Sequence, residues 1–159
     1  MSQDLPVRPS FMRVTVRPAR AEDAPAAANI LRRSIALLCL ADHRRDPADL
    51  SSRLENKTEA NVRAWIESDG NHCVVASVHG VMCGFGAMTT GGLISLCYVD
   101  PAVRFAGVSS AMLTTLENEA RRLGLLETRL TPTLTARQFY LSRGYVAVEG
   151  QMEKRLHSK

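Results

Sequence analysis

The sequence has 159 residues, of which 45% are hydrophobic and 23% are charged, and this balance predicts one folded domain with a hydrophobic core. No run approaches the roughly 18 apolar residues of a membrane span, and residues 1–12 lack the apolar segment of a signal peptide. The net charge of +4 comes from scattered arginines that form no basic stripe, which argues against nucleic-acid binding. We therefore expect a cytoplasmic protein with no nucleic-acid or membrane partner, built as a flexible tail over residues 1–12 and one domain over residues 13–159.

The four cysteines, Cys39, Cys73, Cys83 and Cys97, form no CxxC pair and match no zinc framework. Three of them fall in segments that we predict to be strands. We therefore expect reduced thiols that pack as small apolar side chains, and no metal site. Reduced thiols agree with a cytoplasmic location.

The first part of the chain predicts one short strand followed by helices. Val14 and Val16 alternate with polar residues, which is typical of a strand. Asp23 is suited to cap a helix, and apolar residues then recur at helical spacing to about Leu40. The following segments predict a loop over residues 41–47 and two short helices over residues 49–56 and 59–67.

Three strands in close succession are predicted in the middle of the chain, over residues 73–78, 81–88 and 93–99. His79 and Gly80 separate the first two strands, and this is the length of a two-residue hairpin turn. The segment Thr-Gly-Gly at residues 90–92 predicts the second turn. These short connections indicate an antiparallel meander.

The second half of the chain alternates helices and strands. An apolar stripe predicts a long helix from Val108 to Leu123, with Gly124 at its C-terminal end. The remaining predicted elements are a strand over 127–131, a helix over 133–142, and strands over 145–148 and 151–156. The order β-α-α-β-β-β-α-β-α-β, with one further strand, predicts an α/β fold: a central mixed, mainly antiparallel sheet flanked by helices on both faces.

The strongest candidate for a binding site is the segment that joins the third strand of the meander to the long helix. The first N–H groups of a helix have no partner inside the helix, and they attract phosphate groups. No acidic residue lies between Asp100 and Glu117, and the segment contains small residues that allow close backbone approach. The candidate anion-binding residues are Arg104, Phe105, Ala106, Gly107, Val108, Ser109 and Ser110. The segment lacks the P-loop and Rossmann glycine patterns, and an ordinary strand–turn–helix connection is the alternative.

Two motifs resemble the GNAT superfamily of N-acetyltransferases. Tyr98-Val99-Asp100-Pro101, followed by Arg104-Phe105-Ala106-Gly107-Val108-Ser109, resembles the acetyl-CoA signature, in which a strand ending in V-x-P leads to Q/R-x-x-G-x-G/A. Thr133-Leu134-Thr135-Ala136-Arg137-Gln138-Phe139-Tyr140, with Gly144-Tyr145, resembles N-x-x-A-x-x-F/L-Y-x-x-x-G-F/Y. Ser109 and Thr133 are small replacements for the residues usual in the family. The resemblance runs from Val14 to Leu156 and is nearest to a bacterial branch whose substrates the motifs do not reveal.

The resemblance implies an acetyl-CoA-dependent N-acetyltransferase in which a primary amine attacks the thioester directly. The pantetheine arm of acetyl-CoA would pair with the backbone of Cys97, Tyr98 and Val99, and its pyrophosphate would rest on the amides of residues 105–110. Tyr140 matches the tyrosine that acts as general acid in the family. A phenol with a pKa of about 10 can protonate a departing thiolate when it is held beside it.

The acceptor side of the site is implied only in outline. Asp42 and His43 lie in the loop expected beside the acceptor, where a histidine can take up a proton near neutral pH; water is the alternative base. Cys97 is expected to pack and not to act as a nucleophile. The implied partner is a small-molecule or peptide amine, and homodimers are frequent in the family. The alternative function is a non-catalytic acyl-CoA-binding or regulatory GNAT module, which would not need Tyr140 as an acid.

Overall fold

The computed structural model describes residues 13–38, 47–103, 107–133 and 136–157. The predicted tail over residues 1–12 lies outside these ranges. The strands are β1 (Val14–Pro18), β2 (Asn71–Val78), β3 (Val81–Thr89), β4 (Ile94–Val99), β5 (Glu127–Leu130), β6 (Val146–Val148) and β7 (Gln151–Arg155). The α-helices are α1 (Ala24–Leu38), α2 (Pro47–Leu54), α3 (Glu59–Glu67), α4 (Val108–Arg122) and α5 (Arg137–Ser142).

The first four strands form an antiparallel sheet in the order β1-β2-β3-β4. The predicted hairpin between β2 and β3 is confirmed, because Val78 pairs with Val81 and the two intervening residues both have positive φ, 51° at His79 and 77° at Gly80. Two positive φ values are the signature of the mirror-image turn that matches strand twist. The predicted meander is therefore confirmed, with β1 added at its edge.

The last three strands form a second sheet in the order β5-β7-β6. A tight turn at Glu149 and Gly150, with φ of 48° and 82°, folds β7 back onto β6. The other edge of β7 pairs antiparallel with β5, and Leu130 lies opposite Met152. The final strand of the sequence is therefore the central strand of this sheet.

The two sheets are joined by an isolated parallel bridge between Leu93 and Arg129. The Arg129 N–H donates to the Gly92 carbonyl oxygen at 2.9 Å. Gly92 has a φ of 91°, and a Cβ built on it would lie 2.9 Å from the Glu127 carbonyl oxygen. Only glycine meets both conditions without strain. The bridge makes the assembly a mixed α/β sheet flanked by helices, as the sequence predicts.

Helices cover both faces of the four-stranded sheet. α4 buries one stripe of apolar side chains that repeats every four residues: Val108, Met112, Leu116 and Ala120. Gly84 of β3 permits this close packing, since a Cβ there would lie 2.9 Å from the Met112 sulfur. α1 and α3 pack in a separate apolar cluster that includes Leu31, Val62 and Phe85. None of the helices in the described part of the chain combines the length and the apolar character that a membrane span requires.

α5 is shorter than the sequence predicts. It begins at Arg137 and not at Thr133, although its last residue, Ser142, is the predicted one. The Thr133 hydroxyl accepts a hydrogen bond from the Ala136 N–H at 3.2 Å, and its carbonyl accepts one from the Arg137 N–H at 3.1 Å, so Thr133 supplies acceptors to the N–H groups at the start of α5. Pro132 precedes this turn and disfavours helical backbone at Thr131.

Replacing Gly92 with alanine should destabilise the protein by about 2 kcal/mol or more, because the new Cβ meets backbone and the positive φ is costly for alanine. The matched control is Gly91→Ala, since a Cβ at Gly91 has its nearest neighbour at 3.8 Å. That variant should stay within about 0.5 kcal/mol of the parent. Urea unfolding of the three proteins measures the difference, and equal midpoints for both variants would contradict the role of Gly92.

Candidate active site

A cavity of about 370 Å³ lies between β4 and β5, on the side of the bridge where the two strands separate. One wall is the whole length of β4, and the opposite wall is the end of β5 with the segment that follows it. The first turn of α4, one face of α5 and a single residue of α1 complete the cavity. The lining residues are Ser34, residues 94–99, Val103, residues 107–110, residues 130–133, Ala136, Phe139, Tyr140 and Arg143.

The start of α4 presents free backbone amides to this cavity. Gly107 precedes the helix in a left-handed conformation, with φ 82° and ψ 10°. The Gly107 carbonyl accepts the first intrahelical hydrogen bond, from the Ala111 N–H at 3.1 Å. The amides of residues 108–110 come before Ala111 in the chain and therefore have no acceptor inside the helix. No heavy atom lies within 4 Å of a Cβ built on Gly107. The first turn holds no acidic residue, and this terminus therefore favours an anion.

One edge of β4 is paired and the other faces the cavity. Cys97, Tyr98 and Val99 lie opposite Gly86, Phe85 and Gly84 of β3. The same three residues of β4 also line the cavity, on the side away from β3. A strand edge of this kind presents backbone N–H and C=O groups that an extended ligand can pair with.

Tyr140 projects from α5 into the base of the cavity and is only 6% exposed. Burial raises the pKa of its hydroxyl well above the ordinary value, and the neighbouring Cys97 thiol contributes in the same direction. The Tyr140 hydroxyl and the Cys97 thiol interact, and this interaction raises the pKa of Tyr140 and lowers that of Cys97. Tyr140 is therefore protonated at neutral pH, beside a sulfur atom that also lines the cavity.

A buried polar network fixes the ring behind Tyr140. The Tyr145 ring meets the Tyr140 ring edge to face, with centroids 5.6 Å apart. The Tyr145 O–H donates to Glu117 at 2.9 Å and lies 2.8 Å from the Thr128 hydroxyl, which therefore donates to it. Lys154 donates to the other oxygen of Glu117 at 3.0 Å. Each buried polar side chain in this group has a partner, and such networks hold side chains in one arrangement.

Cys97 is a poor nucleophile in this structure. Burial raises the pKa of its thiol to about 11, and the interaction with Tyr140 offsets this only in part. The reactive form of cysteine is the thiolate, which is a minor species at neutral pH for such a thiol. Among the described residues, no group of three or more histidine, cysteine or acidic side chains is placed to hold a metal ion.

Most of the site residues predicted from sequence lie together. Cys97, Tyr98, Val99, Gly107, Val108, Ser109, Ser110 and Tyr140 all line the one cavity. Arg104, Phe105 and Ala106, and the acceptor candidates Asp42 and His43, lie outside the described residues.

Several lining residues were not predicted as site residues from the sequence, among them Ser34 and Arg143. The Arg143 guanidinium lies 5.5 Å from the centre of the Phe139 ring, and their spacing of four residues on α5 was a signal that could have found the pair. Ser34 falls on the buried stripe of α1, together with Ala27 and Leu31. A polar residue within an apolar stripe was the available signal there.

Comparisons with known proteins bear on this geometry. Residues 40–156 match the family model described as an acetyltransferase (GNAT) domain. A GCN5-related N-acetyltransferase from Rhodopseudomonas palustris is 26% identical, with a TM-score of 0.79 over 89% of this chain and 95% of its own. Among curated proteins, none matches the sequence.

Two similar solved structures contain the cofactor. PaiA N-acetyltransferase from Thermoplasma acidophilum, in complex with coenzyme A, is 17% identical, with a TM-score of 0.80 over 91% of this chain and 100% of its own. YncA from Salmonella typhimurium, with its cofactor acetyl-CoA, is 20% identical, with a TM-score of 0.64 over 92% of this chain and 95% of its own. At these identities the likeness is one of fold.

The raised pKa of Cys97, about 11, predicts slow alkylation at neutral pH. The thiolate fraction should rise about tenfold for each pH unit below that value, so at pH 8 iodoacetamide should modify Cys97 on the order of 100-fold more slowly than free cysteine. Mass spectrometry of the Cys97 peptide, with free cysteine in the same tube, measures both rates. A Cys97 rate that levels off between pH 8 and 9, as that of an ordinary thiol does, would contradict the assigned environment.

Proposed function

The chain belongs to the GNAT acetyltransferase family, and from that premise we propose that it transfers an acetyl group from acetyl-CoA to a primary amine. One observation carries the proposal: a helix start suited to phosphate, an open strand edge and a buried, protonated tyrosine all line the same cavity. The solved relatives that contain coenzyme A or acetyl-CoA support the same ligand here.

The residues of the cavity fit acetyl-CoA from end to end. In the proposal, the amides of Gly107, Val108, Ser109 and Ser110 hold the pyrophosphate, and the open space at Gly107 admits it. The proposed phosphate site also includes the three residues before Gly107 in the sequence: Arg104, Phe105 and Ala106. The backbone of Cys97, Tyr98 and Val99 pairs with the amides of the pantetheine arm, as an added strand would.

Acetyl-CoA supplies an activated acyl group, because the carbonyl carbon of a thioester is open to direct attack by an amine. The chain assists by placing a backbone N–H near Cys97 or Tyr98 where it stabilises negative charge on the carbonyl oxygen. A backbone donor held in a sheet needs no reorganisation during the reaction.

Tyr140 is the proposed general acid for the sulfur of coenzyme A. An acid must keep its proton until the leaving group develops charge, and the raised pKa of Tyr140 ensures this at neutral pH. The Tyr140 hydroxyl lies in the cavity beside the thiol of Cys97, and in the proposal it donates its proton to the coenzyme A sulfur that enters the same space. Cys97 itself has a packing and hydrogen-bonding role in the proposal.

The acceptor amine must lose a proton before or during attack. Asp42 and His43 are proposed to line the acceptor side, with His43 or ordered water as the proton acceptor. A small-molecule or peptide amine is the proposed acceptor class.

Replacing Gly107 with glutamate should weaken coenzyme A binding roughly tenfold or more, because it puts bulk and negative charge beside the phosphate site. Gly124→Glu is the matched control, since Gly124 follows the other end of α4, has a φ of 81° and also has open space at its Cβ position. The two variants should lose similar stability, and only Gly107→Glu should lose affinity. If calorimetry finds equal affinity for coenzyme A in all three proteins, the phosphate site does not lie at Gly107.

Replacing Tyr140 with phenylalanine should lower kcat by about 100-fold to 10,000-fold, because it removes the proton of a general acid. Affinity for acetyl-CoA and the unfolding midpoint should change little, since the ring still packs against Tyr145. A competent acceptor for the measurement is identified by testing a panel of primary amines and monitoring the release of free coenzyme A.

Full activity in the variant would exclude Tyr140 as the acid. Binding of acetyl-CoA by the parent without turnover of any amine would favour the non-catalytic acyl-CoA-binding module.

A further inference from the structure

Ser34 is a buried polar residue at the wall of the cavity. It lies on α1, which packs against β4, is 2% exposed and lines the cavity. Within the described residues its hydroxyl makes no hydrogen bond. Helical hydroxyls commonly bond back one turn, as Thr115 does to the Ala111 carbonyl at 2.9 Å. A buried hydroxyl without a partner is unfavourable and calls for an explanation.

The neighbours of Ser34 along α1 include apolar side chains. Leu31 and Ile35 are two of them, and both are buried. Because Ser34 lines the cavity, a ligand there can supply the partner that its hydroxyl lacks among the described residues. A serine hydroxyl can both donate and accept, and it suits a neutral amide or hydroxyl group of a ligand.

The position of α1 locates Ser34 along the cavity. The adjacent residue, Arg33, donates to the Asp100 carboxylate at 3.4 Å, which places this turn of α1 beside the chain that leaves β4. That chain leads to Gly107, the proposed phosphate site, while Tyr140 marks the proposed sulfur site. Ser34 therefore faces the span between phosphate and sulfur, which a pantetheine arm with its two amides and one hydroxyl would occupy.

We propose that Ser34 is a binding residue for the pantetheine arm, and that its hydroxyl makes a hydrogen bond to an amide or hydroxyl group of that arm. This inference rests on the proposed function, since it requires coenzyme A in the cavity. The inferred hydrogen bond would be a contact from α1 to the ligand, on the side of the cavity away from α4 and α5.

The test compares two ligands that differ only in the arm. Ser34→Ala should weaken coenzyme A binding about threefold to tenfold, the usual effect of losing one hydrogen bond. The same variant should bind 3′-phospho-ADP, which keeps the phosphates and lacks the pantetheine arm, as the parent does. Ser34→Thr retains the hydroxyl and should stay within about twofold of the parent for both ligands. Thr115→Val removes a helical hydroxyl outside the cavity and should change neither affinity.

Folding does not obscure this comparison. Alanine is a better helix former than serine, and no described side chain loses a partner in Ser34→Ala, so its thermal midpoint should not fall. Equal affinity of the parent and Ser34→Ala for coenzyme A would overturn the inference, as would an equal loss for both ligands. Failure of the parent itself to bind coenzyme A is a separate result, and it would overturn the proposed function.

Discussion

A parallel bridge between Leu93 and Arg129 joins the two sheets, and the cavity begins where that bridge ends. The contact is possible because Gly92 brings its backbone against Glu127 with no Cβ between them. Beyond the bridge β4 stays paired with β3 and β5 stays paired with β7, and the two strands share no further backbone pairing among the described residues. A continuous ladder here would fill the opening with hydrogen bonds. The separation of the strands thus supplies the space and the strand edge that the proposed ligand uses.

The two sides of the cavity are held by different kinds of packing. α4 is pressed onto β3 by apolar contacts that depend on the missing side chain of Gly84. Tyr140 is backed by Tyr145, whose hydroxyl is tied to Glu117 of α4 and Thr128 of β5. The same helix whose first turn offers the anion site therefore also anchors, through Glu117, the ring that supports the proposed acid. The proposed phosphate site and the proposed acid are thus connected through α4 by the hydrogen bonds of Tyr145.

Much of the fold follows from the sequence because the signals are local. The hairpin at His79 and Gly80 and the buried stripe of α4 each depend on residues close together in the chain, and both were predictable. The order β5-β7-β6 was not, since strand periodicity does not say which neighbour a strand chooses. The start of α5 was predicted too early, at Thr133. Thr133 accepts hydrogen bonds from the N–H groups of Ala136 and Arg137, and the spacing of residues alone does not distinguish such a cap from the first turn of a helix.

The site was predictable where a motif carried it and hidden where tertiary packing made it. Gly107 and Tyr140 stand at fixed positions in recognisable motifs, and both line the cavity. Ser34 is far from them in sequence, and only the packing of α1 against β4 brings it to the same opening. The interaction between Tyr140 and Cys97 likewise joins two elements that no sequence spacing relates. Roles that depend on a pair of distant side chains therefore needed the three-dimensional arrangement.

The proposed use of main-chain groups along β4 and at the start of α4 would have an evolutionary consequence. Every residue except proline carries the same amide, so the side chains along these two elements can drift while the groups that face the ligand remain. Selection then acts on backbone shape: on the left-handed turn at Gly107 and on the close contact at Gly92. Descendants of one ancestor can therefore diverge widely in sequence and still bind the same cofactor. Their variable side chains are then free to adapt to new acceptors.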